Sequence, residues 1–100
     1  PATACLASRF PYGTQITQER LAAIDAVEQA VRAVGIRQVR ARYHGDMVRI
    51  EVETADIPRL CGAAERERVV RAAKDAGFLY VAADLQGYRT GSLNERSGPG

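Results

Sequence analysis

The sequence predicts an α/β two-layer sandwich, a three-stranded mixed sheet built from a β-hairpin and one crossover strand with two helices on one face, in the order loop-α-β-β-α-β-loop. Three observations carry this. Apolar residues recur at three- and four-residue spacing in two segments, a strictly alternating stretch with a two-residue glycine turn lies between them, and a short, wholly apolar run follows the second segment.

Residues 1–15, PATACLASRFPYGTQ, contain two prolines and one glycine and no sustained period, which predicts an ordered loop. From Thr17 the pattern is helical, with Leu21, Ile24, Val27, Val31 and Val34 on one side and Glu19, Arg20, Asp25, Glu28, Gln29 and Arg32 expected to face away. Thr17 is the expected N-cap and Gly35 the expected stop. In residues 37–53, RQVRARYHGDMVRIEVE, the Gly45-Asp46 turn sets the hairpin register. It pairs Val39 with Val52, Ala41 with Ile50 and Tyr43 with Val48 on one face, and Gln38 with Glu53, Arg40 with Glu51 and Arg42 with Arg49 on the other. Like charges directly opposite are unfavourable, so screening by water or a bound anion is expected at Arg42 and Arg49.

Residues 56–76 predict a second helix broken at Gly62, with Ile57, Leu60, Ala64, Val69, Val70 and Ala73 buried and Gly77 as its end. FLYVAADL, residues 78–85, is apolar on both faces and reads as a covered, interior strand. Residues 86–100, QGYRTGSLNERSGPG, read as irregular, with a frayed end from about Ser97. With both helices on the valine-rich face, the arginine face of the sheet is left without a partner in the chain.

One hundred residues and 10.8 kDa make one domain. Leu, Ile, Val and Phe number 22 and Ala 17, sufficient for a core at a size where folding is marginal. The apolar runs are far shorter than the roughly 20 residues that span a bilayer, and no basic-then-apolar leader opens the chain, so membrane insertion and secretion are disfavoured and a cytoplasmic location is expected. A net charge of +2 gives no global case for nucleic acid. Arg37, Arg40, Arg42 and Arg49, however, fall in one short stretch against a single acid, Asp46. The two cysteines, Cys5 and Cys61, are too few for a disulfide scaffold or a four-thiolate metal site and read as reduced thiols. The first residue, Pro1, suggests a chain processed or cut from something larger.

Cys5 sits in the opening loop four residues before Arg9, whose guanidinium favours thiolate. Cys61 is expected on the apolar side of the second helix, as core filler. His44, the single histidine, lies at the hairpin turn and reads as solvated, with no catalytic triad around it. The Arg40/Arg42 face admits three readings: a solvated face with an ordinary Arg40–Glu51 cross-strand pair, a site for a small ligand bearing phosphate or carboxylate, and an RNA-binding face. The third lacks aromatic residues interleaved with the basic ones. Tyr88-Arg89-Thr90-Gly91-Ser92 is a further candidate anion cradle.

Four blocks carry a resemblance. They are Cys5-Leu6-Ala7-Ser8-Arg9-Phe10-Pro11-Tyr12-Gly13-Thr14 with Ile16-Thr17, then residues 37–46 (RQVRARYHGD), then Arg49-Ile50-Glu51-Val52, and finally residues 84–95 (DLQGYRTGSLNE). In this order they resemble the C-terminal part of the LarE-type ATP-dependent sacrificial sulfur transferases of the PP-loop superfamily, from about Ala4 to Glu95. The resemblance implies a single C-terminal sulfur-donor and substrate-binding domain over 1–100, with the N-terminal PP-loop ATP domain upstream of Pro1 and absent from this chain. It implies that a carboxylate of a pyridinium mononucleotide, the precursor of the nickel-pincer cofactor of lactate racemase, is adenylated and then attacked by a cysteine thiolate, which ends as dehydroalanine.

Carried over, Cys5 matches the sacrificial cysteine, and Ser8, Arg9, Arg40, Arg42 and Glu51 match polar positions around the substrate and phosphate. ATP and magnesium are expected mainly on the missing domain, with no cofactor and no metal on this fragment, which alone should be inactive. Relatives that recycle sulfur through an iron–sulfur cluster use several cysteines; a third is missing here, which favours the sacrificial route. The expected partners are the mononucleotide and the chain's own ATP domain, with a homo-oligomer possible through the exposed helix faces. The rival readings are a PP-loop relative that thiolates or amidates tRNA, and a non-catalytic ligand-binding or oligomerisation module.

Overall fold

The computed structural model describes residues 8–88. Helix α1, Gln18–Ala33, begins on Thr17, whose hydroxyl accepts the Arg20 backbone N–H at 3.1 Å. It ends at Gly35, where a φ of +96° lets Gly35 donate to Arg32 O and Ile36 donate to Val31 O. This pair of bonds is a Schellman closure, and it turns Ile36 into the core. Strands β1, Val39–His44, and β2, Met47–Val52, form the hairpin in the expected register, with Arg40 opposite Glu51 and Arg42 opposite Arg49. Gly45 takes φ +69° while Asp46 keeps a negative φ, the arrangement of a type II′ turn.

The second helix is broken where the sequence places the break. Helix α2, Ile57–Leu60, follows a 3₁₀ turn at Thr54–Asp56, and helix α3, Ala63–Asp75, restarts after Gly62. A Cβ on Gly62 would collide with the Glu65 carboxylate and press on Arg59 O at 3.2 Å. Gly77 and Phe78 close α3 as Gly35 and Ile36 close α1, donating to Lys74 O and Ala73 O. The chain then enters β3, Tyr80–Ala83, which runs parallel to β2. Two layers result. Ile24, Val27 and Val31 of α1 with Leu60, Val69 and Ala73 of α2 and α3 close over Val39, Ala41, Val48, Ile50 and Val52 of the sheet. Each large core side chain contributes roughly 1.5–3 kcal/mol by leaving water. Ala64, expected among the buried positions of the second helix, is exposed on the first turn of α3.

Strand β3 corrects the expectation of an interior strand. The sheet order is β1-β2-β3, so β2 is central and β3 is an edge. The apolar run does two jobs at once: Phe78 is buried and Val81 is half-buried under the helices, while Leu79, Tyr80 and Leu85 are exposed. The expected ends of the chain, including the frayed terminus from Ser97, lie outside the described residues. Among the described residues no helix is long and apolar enough to cross a membrane.

Candidate functional site

Alternation along the hairpin puts Arg40, Arg42, Arg49 and Glu51 on the sheet face opposite the helices. That face is not bare, as the sequence suggested. Arg42 is 3% exposed and Glu51 fully buried, and two irregular segments meet this face of the hairpin. On one side the Ser8–Phe10 segment crosses the outer edge of β1, with Tyr43 N–H donating to Arg9 O at 2.8 Å. On the other side the chain leaves β3 and turns at Asp84–Gly87, and Tyr88 then resumes pairing with β2 by donating to Val52 O at 2.8 Å. Gly87 makes the return possible: it has φ +84°, and a Cβ there would stand 2.9 Å from Thr54 Cγ2 and 3.0 Å from Val52 O.

The like-charged pair Arg42/Arg49 is compensated by Glu51, a residue of its own face. Glu51 lies two positions from Arg49 on one strand and diagonal to Arg42 on the next. Its Oε1 takes Arg42 Nη2 at 3.1 Å and Nε at 3.2 Å, and its Oε2 takes Arg49 Nη2 at 3.3 Å. Arg49 also reaches Asp84 Oδ2 at 3.3 Å. The expected Arg40–Glu51 pair is therefore not made. Arg40 instead lies over the ring of Tyr88, 5.1 Å from its centroid, and donates weakly to Val39 O. Among the described residues it is the arginine of this face without a carboxylate partner.

A second network, which the sequence reading missed, holds the first at its edge. Glu28 was expected on the outer side of α1 but is 2% exposed. It stands four residues after Ile24 and so shares the buried stripe; its residue type concealed what its spacing implied. Being on the edge, β1 turns the Ala41 N–H outward, and Glu28 Oε2 accepts it at 2.9 Å. The same carboxylate holds Arg9, Nε to Oε2 at 2.9 Å and Nη2 to Oε1 at 3.2 Å, and touches Arg32 at 3.4 Å. Arg9 is thus buried at the β1 edge, directed toward Glu28.

Ser8 joins the two networks. Its carbonyl oxygen accepts Arg42 Nη1 at 3.0 Å and its hydroxyl accepts Arg9 Nη1 at 3.4 Å. Cys5 lies outside the described residues, three positions before Ser8, as do Arg89, Thr90, Gly91 and Ser92 of the proposed anion cradle. Cys61 is exposed, not core: α2 ends at Leu60, which turns inward, and Cys61 caps the helix on its outer side. His44, at the end of β1 on the arginine face, is exposed as expected. Partial desolvation against the sheet lowers its pKa, Arg49 and Arg42 push the same way, and Glu51 partly offsets them. Among the described residues no group of three or more His, Cys, Asp or Glu side chains is placed to hold a metal ion.

These features define a two-layer α/β sandwich whose second sheet face is an arginine–carboxylate network tied to the chain's amino-terminal segment. The sequence is 39% identical over 94 residues to the pyridinium-3,5-bisthiocarboxylic acid mononucleotide synthase of Lactiplantibacillus plantarum, a match covering 94% of this chain and 33% of that protein. It is 40% identical over 94 residues to an uncharacterized protein of Synechocystis sp., covering 94% of this chain and 35% of that one. It is 30% identical over 90 residues to an uncharacterized protein of Methanocaldococcus jannaschii, covering 90% and 34%. No protein-family model matches. The chain is LarE-like over nearly all its length, and it spans about one third of the length of the relatives it matches.

Proposed function

We propose that this chain is the sulfur-donor and substrate-binding part, at the C-terminal end, of an ATP-dependent sulfur transferase acting on a pyridinium mononucleotide. The observation that carries the reading is the position of Ser8. It anchors the segment leading from Cys5 directly on Arg42, and three residues span at most about 11 Å. That short connection supports a Cys5 thiol acting beside Arg42, and the guanidinium groups of Arg40 and Arg42 suit a phosphate or carboxylate. The relationship to a protein named for a bisthiocarboxylic acid mononucleotide supports the choice of guest.

In this reading the rest of the enzyme, with ATP and magnesium, delivers the substrate carboxylate as an acyl adenylate. The Cys5 thiolate attacks the acyl carbon, the carbon–sulfur bond forms, and adenylate leaves with the electron pair of the broken acyl–oxygen bond. A base then takes the proton from the Cys5 α-carbon, the bond between its β-carbon and sulfur breaks, and sulfur departs with the product as a thiocarboxylate. Dehydroalanine remains at position 5. Ser8 and Arg42 position the donor segment, Arg40 takes the phosphate, and Glu51 keeps Arg42 and Arg49 in register.

Intact-protein mass spectrometry of the full-length enzyme after turnover tests this. The expected result is loss of the elements of hydrogen sulfide localised to Cys5. An active enzyme with Cys5 unchanged rules the proposal out.

A further inference from the structure

The Arg40–Tyr88 stack shows that this face already binds a planar cation on an aromatic ring. The Tyr88 ring carries the Arg40 guanidinium at 5.1 Å, and that arginine has no carboxylate partner among the described residues. The backbone that carries the ring is fixed on the sheet. Tyr88 N–H is bonded to Val52 O at 2.8 Å, and Gly87 packs its backbone against Val52 and Thr54 so closely that no side chain fits there.

A pyridinium mononucleotide presents two groups to such a pair, a dianionic phosphate and a flat cationic ring. Phosphate is a stronger partner for guanidinium than an aromatic face is. When it draws Arg40 away, the Tyr88 face is bared beside it, and the pyridinium ring replaces one planar cation with another. We propose that Tyr88 is the stacking platform for the cationic ring and so a specificity-determining residue of the site. This rests on the reading given under Proposed function and deepens it. A neutral ring of the same shape gains much less from the ring quadrupole, so charge on the ring is what Tyr88 selects.

Calorimetric titration of the full-length protein with nicotinamide mononucleotide and with its reduced, uncharged dihydropyridine form tests the inference, since both carry the same phosphate. Wild type is expected to prefer the charged ring by about three- to thirtyfold. Tyr88→Phe keeps that preference. Tyr88→Leu abolishes it while the reduced form binds within about twofold of wild type, which also shows that the variant is folded. If Tyr88→Leu keeps the preference, or weakens both forms equally, the proposal for Tyr88 fails and the mononucleotide reading stands. If wild type binds neither form, both fall together.

Discussion

Arg9 Nε and Glu28 Oε2 lie 2.9 Å apart, with the two side chains 5% and 2% exposed, and the same carboxylate oxygen receives the Ala41 N–H. Glu28 thus closes an edge strand and holds down the segment that leads to Cys5. Removing one partner of a buried ion pair leaves a desolvated charge, at a cost of about 3–5 kcal/mol. Glu28→Ala is therefore expected to lower the stability measured by urea unfolding by about that amount, with Glu28→Gln, which still accepts from Ala41, losing less. An equal loss in the two variants would mean that the bond from Ala41 adds nothing and the charge on Glu28 carries the whole effect; an unchanged Glu28→Gln would mean that the charge contributes nothing.

How much of this arrangement was legible in the sequence depends on the residue. The register of the hairpin, the stops at Gly35 and Gly77 and the break at Gly62 follow from local chemistry, and the structure reproduces them. Placing Arg40, Arg42, Arg49 and Glu51 on one face needed only the period of two. What the sequence did not reveal was who pairs with whom across segments. Glu51 passes over Arg40, its direct cross-strand neighbour, for Arg42 and Arg49, while the Ser8 carbonyl takes Arg42 and the Tyr88 ring takes Arg40, contacts far apart in sequence. Strand β3 misled for a related reason: apolar residues on both sides of a strand show that it packs, without showing whether a further strand lies beside it. Cys61 was misplaced because it follows the buried Leu60 at the C-cap of α2, on the outer side of that short helix.

Glu51 occupies the position where an anion was expected, bridging Arg42 and Arg49. Glu51→Gln should leave two guanidinium groups facing each other across the ladder without the carboxylate that bridges them, Arg49 keeping Asp84. The variant is expected to be less stable than wild type in dilute buffer and to recover more of its melting temperature on addition of sulfate, because an external anion then does what the carboxylate did. Thermal melts at constant ionic strength, with sulfate against chloride, check this. An identical response to sulfate in the two proteins would refute it.

Gly87→Ala should disturb Tyr88 without touching any charged group. The added methyl meets Thr54 Cγ2 at 2.9 Å and Val52 O at 3.0 Å, and φ +84° is itself unfavourable for alanine. A residue held in that backbone region costs about 1–3 kcal/mol, so urea unfolding should show a loss of at least this size. Gly13→Ala provides the comparison. Gly13 also has a positive φ but open space around it, so the difference between the two variants isolates the crowding at Gly87.

His44 gives the fold a pH dependence of defined sign. Desolvation, with Arg49 and Arg42 nearby, lowers its pKa below the ordinary value of 6.5, and Glu51 offsets only part of the shift. In the unfolded chain the imidazole takes up a proton as pH falls through its ordinary value, whereas in the folded protein it resists protonation until a lower pH. The unfolded state therefore binds more protons in that window, and stability declines as pH falls through it. Above the window both states are neutral and His44 contributes no pH dependence. His44→Gln should flatten this part of the stability profile while leaving stability near pH 8 almost unchanged, since the side chain is exposed at the turn. Urea midpoints for both proteins between pH 8 and pH 5 measure it, and parallel curves across that range would show that His44 is not the titrating group.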